Sequence, residues 1–439
     1  MSSVYLVSLG CDKNRVDGET MIGILRMGGY SVVHDPAKAQ AIIVNTCGFI
    51  KDAVQESIDL VLELSEHKTG GGCRALIIVG CMAQRYKTEI HASIPEADVV
   101  IGVGEYENIA NVVESLIGAP SRKRKPQAEE ISRIAARSDD ITPHIAYVKI
   151  AEGCDNHCTY CTIPSIRGPY KSRHMEDILE ECHQLVAAGA RELVLVAQDT
   201  ALYGIDIYGE KRLPELLRKL AESSGATWIR LMYAYPEHIT EELVDTMAEL
   251  PQVCKYIDMP IQHSEDRIIK RMGRAGSKNK LVDIITKLRK KMPDIAIRTT
   301  LIVGFPGETS RDFDNMKKFV ADMRFDRLGV FPYSREEGTP AAAMPKQVRE
   351  STKFARLEKI MDLQQGIHFE KQKSYVGKIL PVMVDAQDET GEYTGRTQSD
   401  AYEVDATVIF TSGLQLEQGV VCQVEILGSD HYDLRGKEI

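Results

Sequence analysis

Three cysteines stand within eight residues in the stretch "AEGCDNHCTYCTIP": Cys154, Cys158 and Cys161, spaced C-x3-C-x2-C. Thiolates are ligands for soft metal centres, and three this close can wrap one loop around a single centre. Structural zinc sites and ferredoxin clusters usually close with four protein ligands, yet no fourth cysteine lies nearby. Two chemistries fit. A cubane iron–sulfur cluster on three cysteines leaves its fourth iron open to another ligand. A zinc site would need His157 as its fourth ligand.

A second trio shares a position rather than a neighbourhood. The apolar runs "VYLVSL", "AIIVNT" and "ALIIVG" are each followed by a cysteine: Cys11, Cys47 and Cys81. If those runs are parallel strands, all three residues lie outside the carboxyl ends, where ligands gather in open α/β sheets. Free cysteines are often simply buried, but core cysteines belong inside apolar runs, not after them. The pattern predicts a second three-cysteine cluster. Cys73, Cys182, Cys254 and Cys422 follow no such pattern and read as structural.

The elements that must position these residues fall into blocks. Over 1–118, short β-branched runs alternate with helical patterns such as "DAVQESIDLVLELSEH", which predicts a mostly parallel α/β domain. Residues 119–141 are charged and without strand periodicity, and read as a linker whose "SRKRK" run is solvated. Over 142–372, "IAYVKI", "ELVLVA", "WIRLMY", "YIDMPI", "IRTTLIVG" and "RLGVFPY" alternate with helices. This predicts a complete or partial (β/α) barrel, with its chemistry at the carboxyl ends of the strands. The first trio follows the first of these strands. Residues 373–439 carry short strands between turn residues, which predicts a small β-barrel of about five strands.

Composition limits the partners. The chain has 439 residues, 43% hydrophobic and 27% charged, with a formal net charge of −10. That balance gives no whole-chain attraction for nucleic acid or anionic membrane. No apolar stretch reaches membrane-spanning length and no early run resembles a signal peptide. A cytoplasmic location is expected, where thiols stay reduced. Ten cysteines there suggest metal or catalysis rather than disulfides.

Together these features resemble the radical S-adenosylmethionine (SAM) methylthiotransferase family, over essentially the whole chain. The motifs that carry the resemblance are "SLGCDKNRVDGE", "VNTCGFI", "VGCMAQRY", "EGCDNHCTYCTIPSIRGPYKSR" and "TTLIVGFPGET". It implies a SAM-cleaving 4Fe–4S cluster on Cys154, Cys158 and Cys161, and an auxiliary 4Fe–4S cluster on Cys11, Cys47 and Cys81. One SAM would methylate a sulfur at the auxiliary cluster, and a second would supply the radical that removes hydrogen from an unactivated carbon. The tail resembles a TRAM domain. The resemblance also implies SAM contacts from Tyr160 and from strand ends that offer Gln198, Asp199, Gln262, His263, Arg298 and the turn at Gly304. Arg167 and Arg173 of "RGPYKSR" would steady the loop after the first trio.

The family divides between an adenosine of transfer RNA and an aspartate of small-subunit ribosomal protein twelve. From Lys373 onward five basic residues face twelve acidic ones, a net charge of −7. Such a tail should repel a phosphate backbone and suits a basic protein. "IPSIRG" and "SLGCDKNRVDGE" resemble the protein-modifying branch. The expected substrate is therefore the ribosomal protein, free or ribosome-bound, with an unidentified electron donor. The alternatives are a transfer-RNA methylthiotransferase and a non-enzymatic zinc-binding scaffold.

Overall fold

A computed structural model describes residues 2–118 and 144–439. The linker at 119–141, with its "SRKRK" run, lies outside the described residues. Packing divides the chain into two compact units. As far as they are described, the first holds the N-terminal block with Glu152–Asp155 and Cys161–Leu185, and the second holds residues 144–151, Asn156–Tyr160 and Val186–Ile439.

In the first unit five strands form one parallel sheet: β1 (Ser3–Ser8), β2 (Ser31–Val32), β3 (Ala41–Thr46), β4 (Ala75–Gly80) and β5 (Val99–Ile101). β1, β3 and β4 are the runs "VYLVSL", "AIIVNT" and "ALIIVG", and β5 is the β-branched run "DVVIG". β2 has two residues, too short to show any periodicity. Every residue of β3 and β4 is buried, as expected for strands covered on both faces. Alternate residues feed separate cores: Ile43 and Ile77 pack on one face, Ile42 and Ile78 on the other. The order β2-β1-β3-β4-β5 reverses direction between β1 and β3, which makes that crevice the topological switch point. The helices that matter below are α1 (Asp12–Met27), α2 (Lys51–Gly70) and α3 (Cys81–Arg85).

The second unit begins with β6 (Ile145–Lys149). In sequence, the cysteine loop is flanked by two-residue strands, β7 (Ala151–Glu152) and, in the first unit, β8 (Lys171–Ser172). The other parallel strands are β9 (Glu192–Val196), β10 (Trp228–Leu231), β11 (Tyr256–Asp258), β12 (Ala296–Val303) and β13 (Arg327–Pro332). They pair in the orders β10-β9-β6 and β11-β12-β13, and backbone bonds such as Ala234 N to Asp258 O (2.8 Å) join the two sets. Among the described residues no ladder returns from β13 to β6, so the barrel is partial. The tail closes into a five-stranded barrel, β14-β15-β16-β18-β17, running from Ile379–Gln387 (β14) through Tyr393–Arg396 (β15), Val408–Thr411 (β16) and Val421–Asp430 (β17) to Asp433–Glu438 (β18).

The tail is seated on the amino ends of the parallel strands through buried charge. Glu192, the first residue of β9, is fully buried, 2.6 Å from Arg230 Nε and 2.8 Å from Arg396 of the tail. Arg396 also holds Asp385 at 2.7 Å, and Asp385 meets His144 at 2.8 Å. Tyr256, which opens β11, donates to Asp405 at 2.8 Å, and Arg327, which opens β13, pairs with Asp400. Burial alone would raise the Glu192 carboxyl; Arg230 and Arg396 outweigh it and hold the group below its usual range.

Replacing Glu192 by Gln removes the carboxylate partner of the buried Arg230 guanidinium and one of the two carboxylates that hold Arg396. The expected loss is about 3–5 kcal/mol of stability, measured by denaturant unfolding near neutral pH. The depressed carboxyl contributes fully above its unfolded value and loses that contribution as pH falls through the folded one. The gap between wild type and variant should therefore narrow below about pH 4.

Candidate metal centres

The parallel sheet carries the second trio to one edge. Cys47 and Cys81 directly follow β3 and β4, and Cys11 lies between β1 and α1. The crevice at the switch point is bordered by Cys11 and Cys47. Asn14 of α1 holds this edge together, with Nδ2 donating to the carbonyls of Leu9 (2.7 Å) and Thr46 (3.2 Å). Asn45 returns a bond to Asn14 O at 2.7 Å. The Cys47 amide donates to Ser57 Oγ of α2 at 3.1 Å. Gly10 has φ +91°, and a Cβ there would stand 3.0 Å from Cys47 Sγ, so the turn into Cys11 requires glycine.

The three thiols act on one another electrostatically. Burial raises Cys47 and pushes Cys81 up to about 11, while Arg167 pulls Cys81 the other way and bonds its side chain. Arg167 ends the short helix α6 (Ile163–Arg167), which packs on α3. Its buried guanidinium donates to Asp17 (3.1 Å), to both oxygens of Glu152 (3.0 Å) and to Asn14 Oδ1 (3.1 Å). Burial opposes its charge, but Asp17 and Glu152, then Cys81 and Cys11, keep it protonated.

α6 follows Cys161, so this network also reaches the first trio within the first unit. Thr162 Oγ1 donates to the Phe49 carbonyl at 3.3 Å, tying the residue after Cys161 to the segment after Cys47. Cys161 Sγ accepts from Ile163 N (3.4 Å), and Cys154 N donates to Gly168 O (3.1 Å). Arg173, the second arginine of this loop, pairs with Glu181 at 2.5 Å.

In the second unit the remaining cysteine of the loop, Cys158, is buried and its Sγ lies 2.6 Å from the Tyr235 hydroxyl. Burial raises that phenol well above its ordinary value. Tyr160 presents its ring edge-on to Phe305, with centroids 6.4 Å apart. Thr159 is bonded to Met272 O and Arg271 O at 2.9 Å.

The strand-end residues divide. Gln198 and Gln262 are half-exposed beyond β9 and β11, and Gln262 takes a left-handed φ of 67°. Asp199 is fully buried and holds His238 Nδ1 (2.6 Å) and Asn156 Nδ2 (3.1 Å). His263 is fully buried and accepts from Glu265 N (3.0 Å). Gly304 has φ +72° with Lys353 2.3 Å from any added Cβ, and its amide donates to Glu308 (2.7 Å). Arg298 differs from the expected placement. It is the third residue of β12, not a residue at its carboxyl end, and pairs with Asp258 at 3.0 Å, with Asp405 of the tail 3.9 Å away. Those acids draw it toward the tail. Asn14, Asp17, Tyr235, His238 and Arg274 were not singled out from the sequence. Asn14 and Asp17 lie inside "SLGCDKNRVDGE", so polar residues buried on α1 were the available signal.

Among the described residues no group of three or more His, Cys, Asp or Glu side chains converges closely enough to hold one metal ion. A cubane's cysteines bind different irons, so their sulfurs need not converge on one point. Three coupled thiols beside a buried cation suit such a cluster chemically, because the cation offsets the charge that thiolate ligation brings.

Comparison with known proteins agrees over the full length. Residues 3–102 match Uncharacterized protein family UPF0004, 148–320 the Radical SAM superfamily and 376–439 the TRAM domain. The chain is 46% identical to "Ribosomal protein uS12 methylthiotransferase RimO" of Lachnoclostridium phytofermentans over 435 residues, covering 99% of each protein. It is 45% identical to the protein of the same name from Pelotomaculum thermopropionicum over 446 residues, again 99% of each. The chain belongs to the RimO methylthiotransferase family. It is a radical SAM enzyme. The fold is also similar to that of the radical SAM methyltransferase TsrM from Kitasatospora setae, at TM-score 0.57 and 14% identity over 78% of this chain and 77% of that one.

Arg167→Met should remove the buried cation that Asp17 and Glu152 share. Amide exchange in α1 should accelerate by roughly a hundredfold or more, the equivalent of about 3 kcal/mol. Mass-resolved hydrogen exchange checks this, with the tail barrel as the unchanged internal control.

Proposed function

We propose that the enzyme adds a methylthio group to the β-carbon of an aspartate in small-subunit ribosomal protein uS12. The observation that carries this reading is the packing of α6, which follows Cys161, against α3, which begins at Cys81. It brings parts of two cysteine-poor cluster sets together, as sulfur insertion needs. The substrate assignment rests on the relatives, which are named for uS12.

We assign Cys154, Cys158 and Cys161 to the SAM-binding 4Fe–4S cluster, and Cys11, Cys47 and Cys81 to an auxiliary 4Fe–4S cluster. When bound, the clusters and SAM supply the electron, the radical and the transferred sulfur. The chain's own residues hold and orient. Gly10 gives Cys47 room, and Arg167 balances the thiolate charge of Cys11 and Cys81. Tyr160, braced by Phe305, offers SAM an aromatic face. Gln198 and Gln262, half-buried beyond β9 and β11, are the amide side chains we assign to SAM contact. Asp199, His263 and Gly304 act by shaping the strand ends, and Arg298 by seating the tail.

On this reading 1–118 is the auxiliary-cluster domain, 119–141 a linker, 142–372 the radical SAM domain and 373–439 the TRAM domain. The acidic tail supports a protein substrate over transfer RNA. Asp385, Asp400, Asp405 and Arg396 are spent on interior pairs, which leaves nine acidic and four basic side chains outside the interior. That excess still repels phosphate. A cytoplasmic location follows from the ribosomal substrate. An unidentified low-potential donor supplies electrons.

Reconstituted enzyme should be given SAM, sulfide and reductant with uS12 or unmodified transfer RNA in separate reactions, each read by mass spectrometry. A methylthio group on the uS12 aspartate is expected; one on the RNA alone overturns the substrate. Gly10→Ala should lose roughly half of about eight irons per chain by crowding Cys47, while the SAM-responsive cluster signal survives.

A further inference from the structure

Tyr235 lies beyond the carboxyl end of β10, in the stretch "MYAYPEH", and the proposed chemistry does not yet use it. The chain turns sharply there. Tyr233 takes a left-handed φ of 57°, a conformation unusual for a bulky residue. Bonds on both sides hold it: its amide donates to Asp258 Oδ2 (3.2 Å) and its carbonyl accepts from Thr200 N (3.1 Å). Such strain persists where the surroundings over-determine it, commonly at functional sites. The turn carries the Tyr235 hydroxyl to 2.6 Å from Cys158 Sγ.

The Tyr235 ring is clamped. The Arg274 guanidinium lies over it at 4.0 Å, fixed in turn by Glu237 at 2.8 Å. His238 is stacked on it at 5.8 Å. Asp199 secures both partners of the contact: it holds His238 on the tyrosine side and Asn156, two residues before Cys158, on the cysteine side. A cysteine bound to iron has lost its proton, so the phenol is the only possible donor in this pair.

We propose that Tyr235 is a positioning residue whose hydroxyl donates a hydrogen bond to Cys158 Sγ and raises the reduction potential of the cluster held by Cys154, Cys158 and Cys161. Hydrogen bonds to ligand sulfurs stabilise the more negative, reduced state. The step affected is the transfer of one electron from a low-potential one-electron reductant to the oxidised cluster. No bond forms or breaks in it, and the proton stays on the phenol. The proposal rests on the assignment of that trio as the SAM-binding set.

The test is an EPR-monitored redox titration of the reconstituted full-length enzyme with dithionite, with and without SAM. The change in signal on SAM addition identifies the relevant cluster. Tyr235→Phe keeps the ring and removes the donor. It should lower the reduced-to-oxidised ratio of that cluster about tenfold at fixed potential, which is about 59 mV for a one-electron couple. Incorporating 3-fluorotyrosine at position 235 gives a stronger donor and should shift the ratio the opposite way. Opposite shifts at full iron content support the proposal, since a merely structural role would not change sign with donor strength. An unmoved potential in both proteins overturns it. If Tyr235→Phe fails to hold iron, the fluorotyrosine protein decides alone. A SAM-unresponsive signal in unaltered enzyme would instead remove the ligand assignment beneath the proposal.

Discussion

The first unit depends on one buried cation. Arg167 is almost inaccessible to solvent, and its charge is tolerable only because Asp17 and Glu152 meet it and Asn14 completes its hydrogen bonding. Those partners come from α1, which follows Cys11, and from the strand that leads into Cys154. The guanidinium itself comes from the helix that follows Cys161. A single planar group with fork geometry thus fixes three cysteine-bearing segments at once. Lysine could not replace it, because a point charge cannot bond three partners in fixed directions. The same cation lies within electrostatic reach of Cys81 and Cys11, so structural pinning and charge compensation come from one residue.

The second unit uses buried charge differently. At the amino ends of its parallel strands, Arg230, Glu192, Arg396, Asp385 and His144 form a continuous chain of buried polar contacts. Arg298, Arg327 and Tyr256 add contacts to Asp400 and Asp405. A non-polar interface would hold the tail as well, but ionic partners with directional hydrogen bonds define one orientation. This seating leaves the carboxyl ends of the strands to Cys158, Tyr160, Tyr235 and Asp199. Part of the tail's acidity is therefore structural, and only the remainder is available to a basic partner.

Much of this was legible in the sequence. The apolar runs of β3 and β4 announced strands buried on both faces, and the position of a cysteine after each run announced the shared edge. The tail's strands were readable from turn residues and alternation. β2 was not, because two residues carry no period. Asp199 and His263 looked like polar groups offered to a ligand; Asp199 is held by His238 and Asn156, while His263 spends its Nδ1 on the Glu265 amide. Arg298 looked like a strand-end residue, but residues far along the chain, in the tail, draw it the other way. Tyr235 was hidden because its role depends on a left-handed turn at Tyr233, and such turns at non-glycine residues leave no local signature.

The amino-acid sequence by itself determined the chemistry available: two groups of three cysteines, each without a fourth nearby, and the β-branched runs that force parallel strands. Those properties are local, set by side-chain type and spacing. Only the tertiary structure decided which polar residues are spent on each other. Ion pairs such as Arg167 with Asp17, or Glu192 with Arg396, join positions 150 or more residues apart. They exist because burying a charge requires a partner at bonding distance, and that partner is chosen by packing, not by sequence neighbourhood.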